Sequence, residues 1–463
     1  MPTQCSAESY EFSAVERRRV VASFDGGQVT SDAGALLLKQ TDQVLGLSQK
    51  VAECFVDTRK PWLIEHTVKT LVAQRIFAIA LGYEDLNDHD QLRKDPLFGV
   101  LADKLKGQRR DCEAVAGKST LNRLELHPRA GASAYHKITL DEEAMPGLFV
   151  ELFLNSHKQP PRQIVLDLDA TDAPLHGEQE DRFFHGYYDQ YCYLPLYIFC
   201  GRQLLCAKLR PANIDGCAGT VEELERIVGQ IRERWAQVQI ILRADSGFCR
   251  EELMSWCEQR DVDYVFGLAR NARLQRAIGA ELQQALRQAQ QTGHSARRFK
   301  ELIYCTHKSW SRSRRVVAKA EATTRGENPR FIVTSLSLRQ YATQALYEEF
   351  YCARGEMENR IKECQLDLFA DRLSANLFRV NQLRVWFASL AYVLVESLRR
   401  LALEATQFAR ASVGSIRLKL LKIGAVITLS VRRVKLALNS GFAYQTEFRA
   451  AYTALHKLSA AVR

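Results

Sequence analysis

The sequence lacks the marks of several common protein classes. Its twelve cysteines form no C-x-x-C pair and no even spacing, which points to a reduced, cytoplasmic chain and not to a disulfide framework. The opening stretch MPTQCSAESYEF has no basic-then-apolar signal pattern. The most apolar run, VWFASLAYVLVESL, is broken by Glu396 and falls short of the roughly 20 residues a membrane span needs, so it is expected to be a core helix and no membrane partner is expected. No internal repeat is present. FDGGQV has the glycines of a phosphate loop, but no Gly-Lys-Ser/Thr follows, so a tight turn is expected. His176 and His185 have no Cys or His at ligand spacing, which disfavours zinc.

What is present is size and positive charge. The 463 residues exceed what one core usually serves, and 46% hydrophobic with 25% charged residues is the composition of a globular protein. The formal net charge is +10, and the last 63 residues carry ten Lys/Arg against Glu404 and Glu447. A polyanionic partner is expected, and a carbohydrate-cleaving pair of carboxylates would leave this charge unexplained.

Along the chain, residues 1–160 read as mainly helical and DNA-binding. PWLIEHTVKTLVAQRIFAIALGY is a helix with Pro61 near its start and Gly82 as its C-terminal cap, and KLKGQRRD (104–111) and KSTLNRLELHPR (118–129) add basic character. Residues 161–270 alternate strands with helices: QIVLDLDA, a hairpin turning at Gly201, a helix with a Thr220/Glu223 capping box, VQIILRADSGF, a helix, then DYVFGLAR. Residues 271–340 read as a β-rich insertion, a Gln-rich helical piece followed by short strands in RFKELIYCTHKSW, SRRVVAKAEA and RFIVTSL. Residues 341–385 resume the alternation with the helix YEEFYCARGEMENRIKECQLDL, and 386–463 form a basic helical C-terminal region. The fold class is α/β with a mixed sheet.

Three features carry chemistry. Asp167 and Asp169 share one face of an otherwise apolar strand, which is costly unless they are paired or bind metal. Asp245 follows a second strand directly, at the end where open α/β sheets place ligands, although capping the next helix would also explain it. Tyr347, Tyr351, Arg354, Glu358, Ile361 and Gln365 recur at helical spacing, with Gly355 permitting close backbone approach; a solvated face with an Arg354–Glu358 ion pair is the alternative. Together they suggest oxygen ligands for hard divalent cations, two of which roughly 3.5–4 Å apart can run an in-line phosphoryl transfer. Cys249 and Cys352 are expected to be small buried hydrophobes.

The stretches FDGGQVTSDAGALLL, GYEDLNDHDQLRKDPLF, LDLDATDAPLHGEQE, RADSGF and YCARGEMENRIKE resemble the DDE transposases of bacterial insertion sequences, within the insertion-sequence-4-like group and nearest the family typed by insertion sequence 1380. The resemblance covers most of the chain. It implies an RNase H-like catalytic core with flanking helices. Asp169, Asp245 and Glu358 would be both catalytic triad and ligands of two Mg²⁺ ions, or Mn²⁺ in their place, with Asp167 as an accessory acid. Asp169 is preferred to Asp167 because Asp169-Ala170-Thr171 matches the family's first motif. Its Tyr, Arg, Glu, Lys signature fits Tyr351, Arg354 and Glu358, but Gln365 stands at the Lys position, and Lys362 is the substitute phosphate contact. By the same resemblance the insertion contacts the transposon end, with Trp310 stacking on a flipped base among Arg312, Arg314 and Arg315; a buried structural tryptophan is the competing reading. The implied activity is cut-and-paste transposition, with transposon terminal inverted repeats and target DNA as partners, a homodimer in the synaptic complex, and a cytoplasmic, nucleoid-associated location. The alternatives are an RNase H-like nuclease without strand transfer, or an inactive descendant that only binds DNA.

Overall fold

The structure, a computed structural model, describes residues 8–126, 137–323 and 326–462; the first seven residues, residues 127–129 of the second basic run, and Arg463 lie outside that description. The chain forms two compact units, Glu142–Ser389, and Met1–Asp141 together with Leu390–Arg463. No described helix is long and apolar enough to cross a membrane.

The Glu142–Ser389 unit is built on one mixed sheet. Its strands are β1 (Gln163–Ala170), β2 (Leu196–Cys200), β3 (Gln203–Lys208), β4 (Gln239–Ala244), β5 (Asp263–Leu268), β6 (Ala296–Tyr304), β7 (Arg314–Thr323) and β8 (Arg330–Thr334), and a ninth, the two-residue strand Gly326–Glu327, pairs with the end of β7. β1 to β8 lie in the order β3-β2-β1-β4-β5-β8-β7-β6. β1, β4 and β5 run parallel to one another, and β2 and β3 form an antiparallel meander on β1. The β2–β3 hairpin turns at Gly201, whose φ of 59° suits a residue without Cβ. One sheet face buries Leu166, Leu168, Leu242 and Phe266 against α1 (Thr220–Arg234) and α2 (Glu251–Gln259). The other buries Ile241, Val265, Val317 and Ile332 against Leu346 and Tyr347. Each fully buried aliphatic or Phe side chain contributes about 1.5–3 kcal/mol.

Three local expectations are corrected. α1 is capped by Gly219 in the left-handed region (φ 71°) and not by a Thr220/Glu223 box; the Glu223 carboxylate is drawn instead to Lys208 (2.9 Å) and Arg226 (2.8 Å). The insertion opens on helix as its Gln-rich start suggests, Ala272–Ala277 and Gly279–Thr292, but its strands are not a separate layer: they extend the core sheet. β8 pairs antiparallel with β5 and β7 with β8, which covers an edge that β5 would otherwise expose. The polar helix is not one regular α-helix. From Thr343 to Asp367 it passes through a π-helical turn (Leu346–Tyr351), a 3₁₀ turn (Cys352–Arg354), α3 (Gly355–Lys362) and a second π-helical turn (Glu363–Asp367).

In the other unit the helix Val68–Leu81 starts after Thr67, whose hydroxyl accepts the Thr70 N–H at 3.2 Å, and ends at Gly82 (φ 100°); Pro61 belongs to a separate 3₁₀ turn. The C-terminal region is not all helix. It holds a hairpin, β9 (Ala425–Leu429) and β10 (Val434–Leu438), and β9 pairs with the strand Gln28–Thr30. Gly26 and Gly27 lie exposed before that strand, as a turn would. Gly34 is needed for close approach, because a Cβ there would stand 2.3 Å from the Leu420 carbonyl oxygen. Asp32, buried in the same motif, pairs with Lys422 at 2.6 Å and accepts from the Tyr83 hydroxyl at 2.9 Å.

Candidate active site

Strand register brings the first two acids together. Ala244 of β4 pairs with Leu168 of β1 and with Phe266 of β5, so Asp245, Asp169 and Gly267 stand in one row at the C-terminal ends of three parallel strands. Asp245 caps the 3₁₀ turn Ser246–Phe248, its Oδ1 accepting the Gly247 N–H at 2.8 Å. Capping and site position therefore coexist.

The irregular helix supplies the rest. Tyr347 and Ile361 are buried, Tyr351 and Arg354 are half-buried, and Glu358 is exposed. Arg354 lies between the acids, with Nη1 3.5 Å from Asp169 Oδ2 and Nη2 3.5 Å from Glu358 Oε1. The expected Arg354–Glu358 pair exists, but the same guanidinium also faces Asp169. Burial pushes the Asp169 carboxyl up to about 7, against the pull of Arg354, and the Asp245 and Glu358 carboxylates push it the same way. Lys362 is exposed. Gln365, at the signature Lys position, donates to the Asp172 carbonyl oxygen at 2.8 Å.

Among the described residues no three His, Cys, Asp or Glu side chains are gathered as a metal-ligand set. The chemistry of the donors nevertheless suits a hard cation: the Asp245 and Glu358 carboxylates disfavour ionisation of Asp169, and a positive group, Arg354, already lies against Asp169 and Glu358.

In the metal-free protein the midpoint of Asp169 is expected to fall from about 7 in Asp245→Asn or Glu358→Gln and to rise in Arg354→Gln, read by NMR of the side-chain carboxyl carbon. The folded-state value lies above the ordinary 3.8, so this group's contribution to stability is full below the unfolded-state pKa and is lost as pH rises through about 7. Asp169→Asn is therefore expected to raise the melting temperature above neutral pH.

Other expectations are corrected by packing. Asp167 is not a free accessory acid: it is buried and held in a bidentate pair by Arg243, Nε to Oδ1 at 2.5 Å and Nη2 to Oδ2 at 2.8 Å. Arg243 Nη1 also donates to the Phe350 carbonyl, which ties β1 and β4 to the helix. Trp310 is buried in the sheet's core cluster with its ring edge-on to Tyr304 at 5.7 Å, so it has no free face for a base. Arg314 is buried between Glu251 and Glu258, one helical face of α2, at 2.7 Å from each. Arg315 is buried on the Leu336 and Tyr341 carbonyls and Glu301. Of the four residues expected to contact DNA only Arg312 presents its side chain to solvent. A Cβ added at Gly355 would meet nothing within 4 Å, so no close approach needs the glycine, whereas Cys352 is exposed and Cys249 only half-buried.

The close approach falls on Gly267, where an added Cβ would lie 2.6 Å from the Tyr351 hydroxyl and 2.8 Å from the Ser246 nitrogen. Gly267→Ala is expected to cost about 1–3 kcal/mol through overpacking. Because the displaced atoms belong to the site, activity should fall further than stability, measured as nicking rate against urea midpoint.

A family model described as Transposase DDE domain group 1 matches residues 12–460. The chain belongs to this DDE transposase family. No curated protein matches the sequence. Among solved structures, a piggyBac transposase synaptic complex with hairpin DNA, determined by cryo-EM, is similar at 9% identity and a TM-score of 0.38, over 93% of this chain and 81% of that one. Membership makes the chain a transposase, an enzyme class that acts on DNA and uses divalent metal.

Proposed function

We propose that this transposase acts by cut-and-paste, cleaving at transposon ends and joining the 3′-hydroxyls to target DNA, and that it belongs to the insertion-sequence-4-like group, nearest the family typed by insertion sequence 1380. The observation that carries the reading is the placement of Asp169 and Asp245 on adjoining parallel strand ends, with Arg354 of the covering helix 3.5 Å from both Asp169 and Glu358. A mixed sheet flanked by helices, with its acids at strand C-termini, supports an RNase H-like core.

Asp169, Asp245 and Glu358 would hold two Mg²⁺ or Mn²⁺ ions, which supply charge stabilisation for the attacking and leaving oxygens of an in-line displacement. Arg354, poised between two of these acids, would turn to a phosphate once a metal neutralises them, and Tyr351 beside Gly267 would fix the scissile phosphate's position. Lys362, exposed one turn after Glu358, would reach the DNA backbone, since Gln365 is engaged with Asp172. The protein would work in the bacterial cytoplasm as a homodimer that synapses two terminal inverted repeats.

The test is a Mg²⁺-dependent reaction on the repeats flanking the coding sequence. Nicked ends followed by products joined to a target plasmid are expected. Cleavage without joining, even when pre-cleaved ends are supplied, would leave a nuclease.

A further inference from the structure

The β9–β10 hairpin takes no part in the candidate site. Its root is anchored: β9 pairs with Gln28–Thr30, and Ile423 and Ala425 pack with Ala33, Leu436, Phe442 and Phe448. Its tip is not. Leu429 to Arg433 are all exposed, and Val431, at 106% relative exposure, touches almost nothing. The turn is nonetheless well formed, with the Ser430 N–H donating to the Arg433 carbonyl at 3.0 Å and the Ser430 hydroxyl accepting the Arg433 N–H at 3.2 Å.

Charge at the tip is one-sided. No Asp or Glu stands between Glu404 and Glu447. Arg432, Arg433 and Lys435 are exposed or nearly so, and none makes an ion pair among the described residues. This contrasts with Arg314 and Arg315, which are saturated by carboxylates and carbonyls. Three unpaired cations on a ribbon without acids complement a polyanion, and such a ribbon can lie along a groove of duplex DNA. An apolar side chain at the apex of such a ribbon is the arrangement by which architectural proteins wedge between base steps.

We propose that β9–β10 is a DNA-contacting arm, with Arg432, Arg433 and Lys435 meeting backbone phosphates and Val431 entering the base stack. The inference rests on the DNA-acting reading above, but it concerns a surface separate from the three acids.

The test uses the full chain and a long mixed-sequence duplex carrying 2-aminopurine, titrated over a salt series. The double substitution Arg432→Ala/Arg433→Ala should weaken binding roughly tenfold near physiological salt and lower the slope of log K against log salt by about two. Val431→Ser should keep that slope and lose the 2-aminopurine fluorescence rise that reports unstacking. Both changes lie at exposed turn positions, and circular dichroism should match wild type. Binding, slope and fluorescence unchanged in both variants would overturn the proposal, as would binding to phosphatidylserine vesicles but not to the duplex. If wild type cuts DNA with Mg²⁺ while the arm variants bind as it does, the arm fails and the enzyme reading stands. If the variants lose binding while wild type never cuts, the arm stands and the enzyme reading fails.

Discussion

Arg243→Met is expected to destabilise the Glu142–Ser389 unit by about 3–5 kcal/mol, because it leaves the Asp167 carboxylate buried without its cation. The pair is bidentate, at 2.5 and 2.8 Å, with both side chains nearly inaccessible. Loss of Arg243 also frees the Phe350 carbonyl at the π-helical turn, so the helix that carries Tyr351, Arg354 and Glu358 should loosen. Urea unfolding followed by tryptophan fluorescence measures the cost. The double variant Arg243→Met/Asp167→Leu should recover much of it, since removing both charges leaves no uncompensated ion. Full additivity of the two single changes would show that they do not act as a pair.

Asp245→Asn and Glu358→Gln are each expected to lower Mg²⁺-dependent cleavage by roughly 10³-fold or more while leaving the fold intact. Glu358 is exposed and its ion pair with Arg354 is long, so stability should barely change. For Asp245 the choice of Asn matters. Its side-chain oxygen still accepts the Gly247 N–H, whereas Asp245→Ala forfeits that cap at about 1 kcal/mol. Comparing Asn with Ala separates the charge from the cap. Equal cleavage by Asp245→Asn and wild type would remove Asp245 from the site.

The strand-borne part of this site was legible because β-structure alternates with a period of two. QIVLDLDA shows directly that Asp167 and Asp169 share a face, and an acid placed straight after VQIILRA sits at a strand end. What alternation could not say is which of two acids is already paired. The signal was present: Arg243 interrupts the second apolar strand just as Asp167 interrupts the first, and the two strands run parallel in register. An Arg in one buried strand directly opposite an Asp in its neighbour is a pairing cue, but only once the strands are known to be adjacent.

The helix was legible in its residues and not in its shape. Stepwise spacing of 347, 351, 354, 358, 361 and 365 presumes a constant 3.6-residue turn, yet two π-helical turns and a 3₁₀ turn change the phase, leaving Glu358 exposed while Ile361 is buried. The basic insertion misled for a different reason. Arg314 and Arg315 look like a nucleic-acid patch in sequence, but Glu251 and Glu258, seven residues apart on α2, form a slot for the first, and carbonyls from a distant loop hold the second. Long-range partners of this kind leave no local trace. The same holds for Gly267, whose need for a bare Cα comes from Tyr351, 84 positions on.

Whether Asp169, Asp245 and Glu358 form the proposed divalent-metal site is tested most directly by Mn²⁺ binding to the purified full chain, followed by electron paramagnetic resonance of the free ion. Wild type should take up Mn²⁺ more tightly as pH rises past 7, where Asp169 gives up its proton, and the triple variant Asp169→Asn/Asp245→Asn/Glu358→Gln should lose that uptake. A triple variant that binds Mn²⁺ with wild-type affinity and the same pH dependence would contradict the account.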